Sequence, residues 1–85
     1  MLHIVAAVLR RGDHILICQR SRSGAMPLRW EFPGGKLEGG ESEPDALRRE
    51  LREELGIVAK PGRLLARVRH TYAETGTLEL AFYEV

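Results

Sequence analysis

Apolar and polar positions divide this chain into four short apolar runs and one apolar stripe. Residues 3–10 are rich in Val, Ile and Ala, and His14 to Arg20 carries a second apolar run. Arg11-Gly12-Asp13 punctuates the two. Short apolar runs flanking a Gly-Asp turn predict a β-hairpin, and Arg-Gly-Asp is read as that turn rather than as an adhesion signal. Residues 21–29 are polar and irregular, a loop. Trp30-Glu31-Phe32-Pro33-Gly34-Gly35 follows; a proline and paired glycines exclude a helix. The loop is expected to continue to Glu41.

The stripe comes next. Leu47, Leu51 and Leu55 recur at i, i+4 and i+8 with Ala46 beside them, which is helical spacing. Ser42 has the chemistry of an N-cap, Pro44 falls in the first turn, and Gly56 suits the C′ position. A helix from about 43 to 55 is predicted. Pro61-Gly62 is a turn, and residues 63–72 and 77–85 read as two strands around Glu74-Thr75-Gly76. The order is strand, strand, loop, helix, strand, strand, an α/β arrangement. One helix covers one face of such a sheet. The other face is expected to be covered by a segment beyond Val85 or by self-association.

Composition changes this picture little. The chain has 85 residues, 44% hydrophobic and 29% charged, with net charge +1. That is ordinary globular composition for one small domain. The balance gives no bulk field for a nucleic-acid polymer or a membrane surface. No apolar stretch approaches the roughly 20 residues needed to span a bilayer. Cys18 is the single cysteine and is expected as a buried, reduced thiol. A cytoplasmic location is expected.

Charge becomes informative locally. From Glu38 to Glu54 seven acids face three arginines, Arg48, Arg49 and Arg52. Glu50, Glu53 and Glu54 stand at i, i+3 and i+4, which puts three carboxylates on one helical patch. A hard divalent cation, Mg²⁺ or Mn²⁺, would relieve their repulsion. Taken alone, the helix is read more simply as an acidic face neutralised by its arginines. His3, His14 and His70 share no ligand spacing and are read as structural or exposed. The preceding Gly34-Gly35 lets the backbone bend sharply and approach a ligand, and the docked leucine face brings that turn towards the carboxylates.

Together these residues form a pattern. Gly35, Glu41, Arg49-Glu50-Leu51, Glu53-Glu54 and Gly56-Ile57 stand at the spacings of the Nudix box, with every fixed position filled from Gly35 to Ile57. Trp30-Glu31-Phe32-Pro33-Gly34 before it resembles the mutator-type subgroup, the 8-oxo-dGTP diphosphatases. The resemblance implies one Nudix domain over 1–85, an α/β/α sandwich with a mixed sheet, incomplete at its C-terminal end. It implies that Glu50, Glu53 and Glu54 hold Mg²⁺ (or Mn²⁺) on the phosphates, with the Gly34 carbonyl as a further ligand. Arg49 would orient a neighbouring glutamate and Glu41 would brace the loop. Arg20 would meet a phosphate, and Glu31, Phe32, Pro33, Gly34 and Gly35 would line the nucleotide site. Glu50 or Glu54 would be the general base. Phe32 is read equally as core, Arg20 as a strand-end surface residue, Trp30 as packing and Lys36 as a solvated side chain.

The implied activity is Mg²⁺-dependent cleavage of a nucleoside triphosphate to monophosphate and pyrophosphate, with 8-oxo-dGTP as leading substrate, a role in clearing oxidised nucleotides before DNA synthesis. The alternatives are hydrolysis of another nucleoside diphosphate derivative such as ADP-ribose, or a nucleotide-binding module without turnover. Retention of all the box glutamates argues against the last. In the subgroup, a further acid near the metal and an amide that reads the oxidised guanine come from later segments than Val85. Ala25 stands near the position where some relatives have a histidine.

Overall fold

A computed structural model describes residues 1–23, 28–73 (residue 72 by its backbone) and 76–85. Ala25 and part of the turn expected at 74–76 lie outside these. The main sheet has four strands: β1 (Leu2–Val8), β6 (Gly34–Lys36), β7 (Leu64–Tyr72) and β8 (Gly76–Glu84), in the order β6-β1-β8-β7. β1 runs parallel to β8 and antiparallel to β6, and β7 is antiparallel to β8. The sheet is therefore mixed. Two small two-stranded ladders flank it, β2 (Arg10–Arg11) with β3 (His14–Ile15), and β4 (Cys18–Gln19) with β5 (Trp30–Glu31).

The helix α1 spans Glu43–Leu55 and its ends are those the sequence dictates. The Ser42 hydroxyl accepts from the Asp45 amide at 3.2 Å. Gly56 sits in the left-handed region (φ 66) and its N–H closes on the Arg52 carbonyl at 3.0 Å. Ala46, Leu47 and Leu51 are fully buried. They dock on Val5, Ala7, Ala81 and Tyr83, alternate residues of β1 and β8 that register side by side. Period 3.6 on the helix meets period 2 on the sheet, and the core lies between them.

The opposite face of the same strands presents Ile4 beside Leu80 and Ala6 beside Phe82. No second helix covers it among the described residues. Helix, mixed sheet and uncovered face match the expected order of layers. Among the described residues, no helix is long and apolar enough to cross a membrane.

Three local expectations need correction. The first two apolar runs do not pair along their length. Pairing across the turn is confined to Arg10–Ile15 and Arg11–His14, with one further bond from the Leu16 amide to the Leu9 carbonyl at 3.0 Å, because β1 is already bonded on both sides, to β6 and β8. The second run goes instead to Trp30–Glu31. The stretch expected as loop after residue 29 supplies two short strands, and Gly34-Gly35 is an edge strand of the main sheet. Cys18 is free and half-buried rather than buried.

Candidate active site

The site forms where the last turns of α1 cross the β6 edge. Pro33 offers its carbonyl to the Ala7 amide (2.8 Å), and the Leu37 amide donates to the His3 carbonyl (3.0 Å). Antiparallel alternation then turns the N–H and C=O of Gly34 and Lys36 away from β1, towards the open edge. Helix side chains meet them there: Arg49 Nη2 donates to the Lys36 carbonyl at 3.1 Å, and the Gly34 backbone bonds the Glu54 carboxyl.

Both glycines are required by contact. A Cβ on Gly34 (φ 153) would stand 2.0 Å from the Val5 carbonyl oxygen. A Cβ on Gly35 would stand 2.4 Å from Glu50 Cδ. The Glu50 carboxylate occupies the space a side chain would take.

Arg49 holds the acids in place. Its Nε and Nη2 clasp Glu41 at 2.8 and 3.0 Å, and Nη1 donates to Glu50 Oε1 at 2.9 Å. Glu53 Oε2 is 3.4 Å from the same nitrogen and Glu38 Oε1 3.5 Å. Glu41 also accepts from the Glu38 amide at 2.9 Å, so it closes the loop ahead of the helix. The bidentate guanidinium holds the Glu41 carboxyl below its usual range. Glu54 is shifted the other way, up to about 7. Its carboxyl lies partly out of water and against that of Glu50, and the Gly34 backbone bond offsets this only in part.

A cleft of about 690 Å³ opens beside these carboxylates. Ile4, Leu78, Leu80 and Phe82 form its apolar floor on the face away from α1, and Phe32 meets Phe82 edge-on with ring centroids 5.8 Å apart. At its polar end are Glu50, Glu54 and the Arg20–Glu31 ion pair (2.8 Å). The cleft thus joins a flat apolar compartment to an acidic end with an arginine, a shape suited to an aromatic base linked to phosphates held through a cation.

Of the residues singled out from sequence, Arg20, Glu31, Phe32, Gly34, Gly35, Glu50 and Glu54 line this one cleft. Arg49 lies at the acids' side and holds them. Glu53 is turned to Arg49, with 59% of its side chain exposed. Among the described residues, no three His, Cys, Asp or Glu side chains form a ready cage for a metal. Pro33 is fully buried and contributes its carbonyl to the sheet. Trp30 is not packed: it stands 61% exposed at the mouth. The floor residues escaped the sequence reading. Their signal was the strand alternation, which assigns Ile4, Leu78, Leu80 and Phe82 to the face opposite the helix.

Residues 1–81 match the NUDIX domain family. The chain belongs to the Nudix family. Over 66 residues it is 48% identical to the CTP pyrophosphohydrolase of Escherichia coli K12, covering 78% of this chain and 49% of that protein. Over 82 residues it is 43% identical to the putative 8-oxo-dGTP diphosphatase 2 of Mycobacterium tuberculosis, covering 96% and 58%. The chain thus spans about half the length of these relatives. The crystal structure of a MutT protein from Methanosarcina mazei superposes with TM-score 0.87 at 27% identity, over 98% of this chain and 61% of that one. The residues that resemble the Nudix box by their spacing, Gly35 to Ile57, are those of the segment just described.

Proposed function

We propose that this Nudix domain is the phosphate-cleaving part of a divalent-cation-dependent nucleoside triphosphate pyrophosphohydrolase, with 8-oxo-dGTP as leading substrate. The observation that carries the reading is the cleft: an apolar, aromatic-walled compartment ending at Glu50, Glu54 and the Gly34-Gly35 edge. Relatives named as 8-oxo-dGTP diphosphatases support the substrate. The 48% identity to a CTP pyrophosphohydrolase supports a second reading, a pyrimidine triphosphate in the same cleft.

The residues present fit a divalent cation. The Glu54 carboxyl is pressed against that of Glu50, and the Arg49 bond to Glu50 still leaves the Glu54 pKa pushed up to about 7, so the pair has a place for further positive charge. The outward-turned Gly34 backbone brings a neutral oxygen to the same place. Glu50, Glu54 and the Gly34 carbonyl would hold Mg²⁺ or Mn²⁺, with Glu53 the exposed fourth donor. When bound, the ion neutralises phosphate charge and lowers the pKa of a coordinated water.

The chain's own residues do the rest. Arg49 fixes Glu50 and so keeps one carboxylate against Gly35. Arg20, at the cleft's polar end, meets a phosphate oxygen by exchanging its bond to Glu31. Phe32 and the floor seat the base and exclude water from it. Glu54, beside Glu50 at the polar end of the cleft, accepts the proton of the attacking water. Attack on an internal phosphorus then releases monophosphate and pyrophosphate. The test is hydrolysis of 8-oxo-dGTP, dGTP and CTP with and without Mg²⁺, pyrophosphate and orthophosphate resolved. Pyrophosphate from the oxidised nucleotide in preference supports the proposal. Preference for CTP moves the substrate to the second reading. Orthophosphate as the product refutes the bond assignment.

A further inference from the structure

A second polar cluster lies away from the cleft, where the first turn of α1 meets β7 and β8. Arg67 clasps Glu43 with both terminal nitrogens, at 2.7 and 2.8 Å, and donates to Glu79 at 2.7 Å. Arg69 takes the other Glu79 oxygen at 2.6 Å. The Tyr83 hydroxyl donates to Glu43 Oε1 at 2.6 Å. Glu79 and Tyr83 are buried, 6% and 9% exposed. A lone surface ion pair contributes little, but a bidentate pair tied to a buried hydroxyl and a buried acid is directional.

The direction matters because of the helix repeat. Glu43, Leu47, Glu50 and Glu54 are spaced 4, 3 and 4 residues apart, which is one stripe of an α-helix. Glu43 bonds the β7–β8 side at one end of that stripe. Glu50 and Glu54 meet the Gly34-Gly35 edge at the other. Between them, Ala46, Leu47 and Leu51 make apolar contacts, which resist separation but are non-directional and restrain roll weakly. A roll of about 10° at a side-chain radius of about 6 Å moves a carboxylate by about 1 Å. A 1 Å misplacement can lower a rate about a hundredfold.

We infer that Glu43, Arg67 and Tyr83 are positioning residues, which set the roll of α1 and so the aim of Glu50 and Glu54 at the β6 edge. The inference rests on the proposed function for its consequence in turnover, and on the structure alone for the geometry.

The test uses Tyr83→Phe, which keeps the buried ring and removes only the hydroxyl, and Glu43→Ala, with Glu54→Gln as control. Two quantities are measured: the Gly34 amide in metal-free ¹H–¹⁵N spectra, by shift and hydrogen exchange, and the affinity for Mn²⁺ alone. Both clamp variants are expected to move the Gly34 resonance and lower its protection, with the Leu47 and Leu51 amides protected as in the parent. Mn²⁺ affinity should fall about three- to tenfold, and in a double variant no further than in the weaker single. A parental Gly34 amide and parental Mn²⁺ affinity in both variants, with Glu54→Gln weakened, overturns the positioning role and leaves the cation site standing. Mn²⁺ binding that is absent, or indifferent to Glu54→Gln, overturns the cation site; the Gly34 amide then still decides the positioning role.

Discussion

The adjacent glycines Gly34 and Gly35 should respond differently to the same methyl group. In Gly35→Ala the new Cβ would lie 2.4 Å from Glu50 Cδ and 2.5 Å from Oε1. Carbon atoms rest at about 3.5–4.0 Å, so the carboxylate must retreat by about 1 Å. That side chain can move, at the expense of its 2.9 Å bond from Arg49. The lost charge-assisted bond costs about 1.5–3 kcal/mol. The loss of chain freedom in the unfolded state returns about 0.4–1 kcal/mol. The protein should fold with a modest deficit and turn over about a hundredfold more slowly. In Gly34→Ala the obstacle is backbone, the Val5 oxygen at 2.0 Å, and φ is 153. Strand β1 is bonded on both sides and cannot yield, so a cost above about 4 kcal/mol is expected. A domain of this size has only about 4–13 kcal/mol in total. Urea unfolding at 25 °C beside Mg²⁺-dependent turnover of 8-oxo-dGTP separates the two. Parental turnover in Gly35→Ala, or a parental midpoint in Gly34→Ala, would refute the packing argument.

Further outcomes follow from other contacts. Glu54→Gln should abolish most turnover while its melting curve stays cooperative; a fully active variant would remove Glu54 from the chemistry. Leu51→Ala, at a fully buried site, should cost about 2–5 kcal/mol, and an unshifted thermal midpoint would contradict the docked helix. Arg49→Lys cannot keep the bidentate clasp on Glu41 together with the bonds to Glu50 and the Lys36 carbonyl. Its kcat should fall by more than tenfold, and parental kcat would argue against the clasp. The folded carboxyl of Glu54 titrates near 7 against an ordinary 4.5, so the metal-free fold binds that proton more tightly than the unfolded chain. Its contribution is present below about pH 4.5 and lost as pH rises through about 7. Mg²⁺ should therefore raise the thermal midpoint at pH 8 far more than at pH 5, and an equal rise at both would contradict the paired-acid site.

Much of this was legible because local chemistry agreed with the fold. Ser42, Gly56 and the Leu47–Leu51 stripe dictate the helix at the bounds observed. The box spacing brings Glu50 and Glu54 to the glycine edge, and Arg49 to Glu41. What escaped depends on pairing between distant segments. Nothing local in Gly34-Gly35 distinguishes a loop from an edge strand; the choice is made by β1, which needs a partner on that side. Likewise, the second apolar run looks like the mate of the first until β8, some seventy residues later, takes that place in parallel register. Glu43 reads as an ordinary first-turn acid, since its partners Arg67 and Tyr83 arrive only with the sheet. Trp30 looks like core by composition, and its exposure follows from the short ladder that carries it at the mouth of the cleft.

The most direct test of the central claim is hydrolysis of 8-oxo-dGTP in ¹⁸O-water, followed by ³¹P NMR, for the chain and for Glu54→Gln, with Mg²⁺ and with chelator. The account predicts label in a single product, monophosphate and pyrophosphate as the only phosphorus species, and loss of both in the variant and in chelator. Orthophosphate release, or turnover that persists in chelator or in Glu54→Gln, would contradict it.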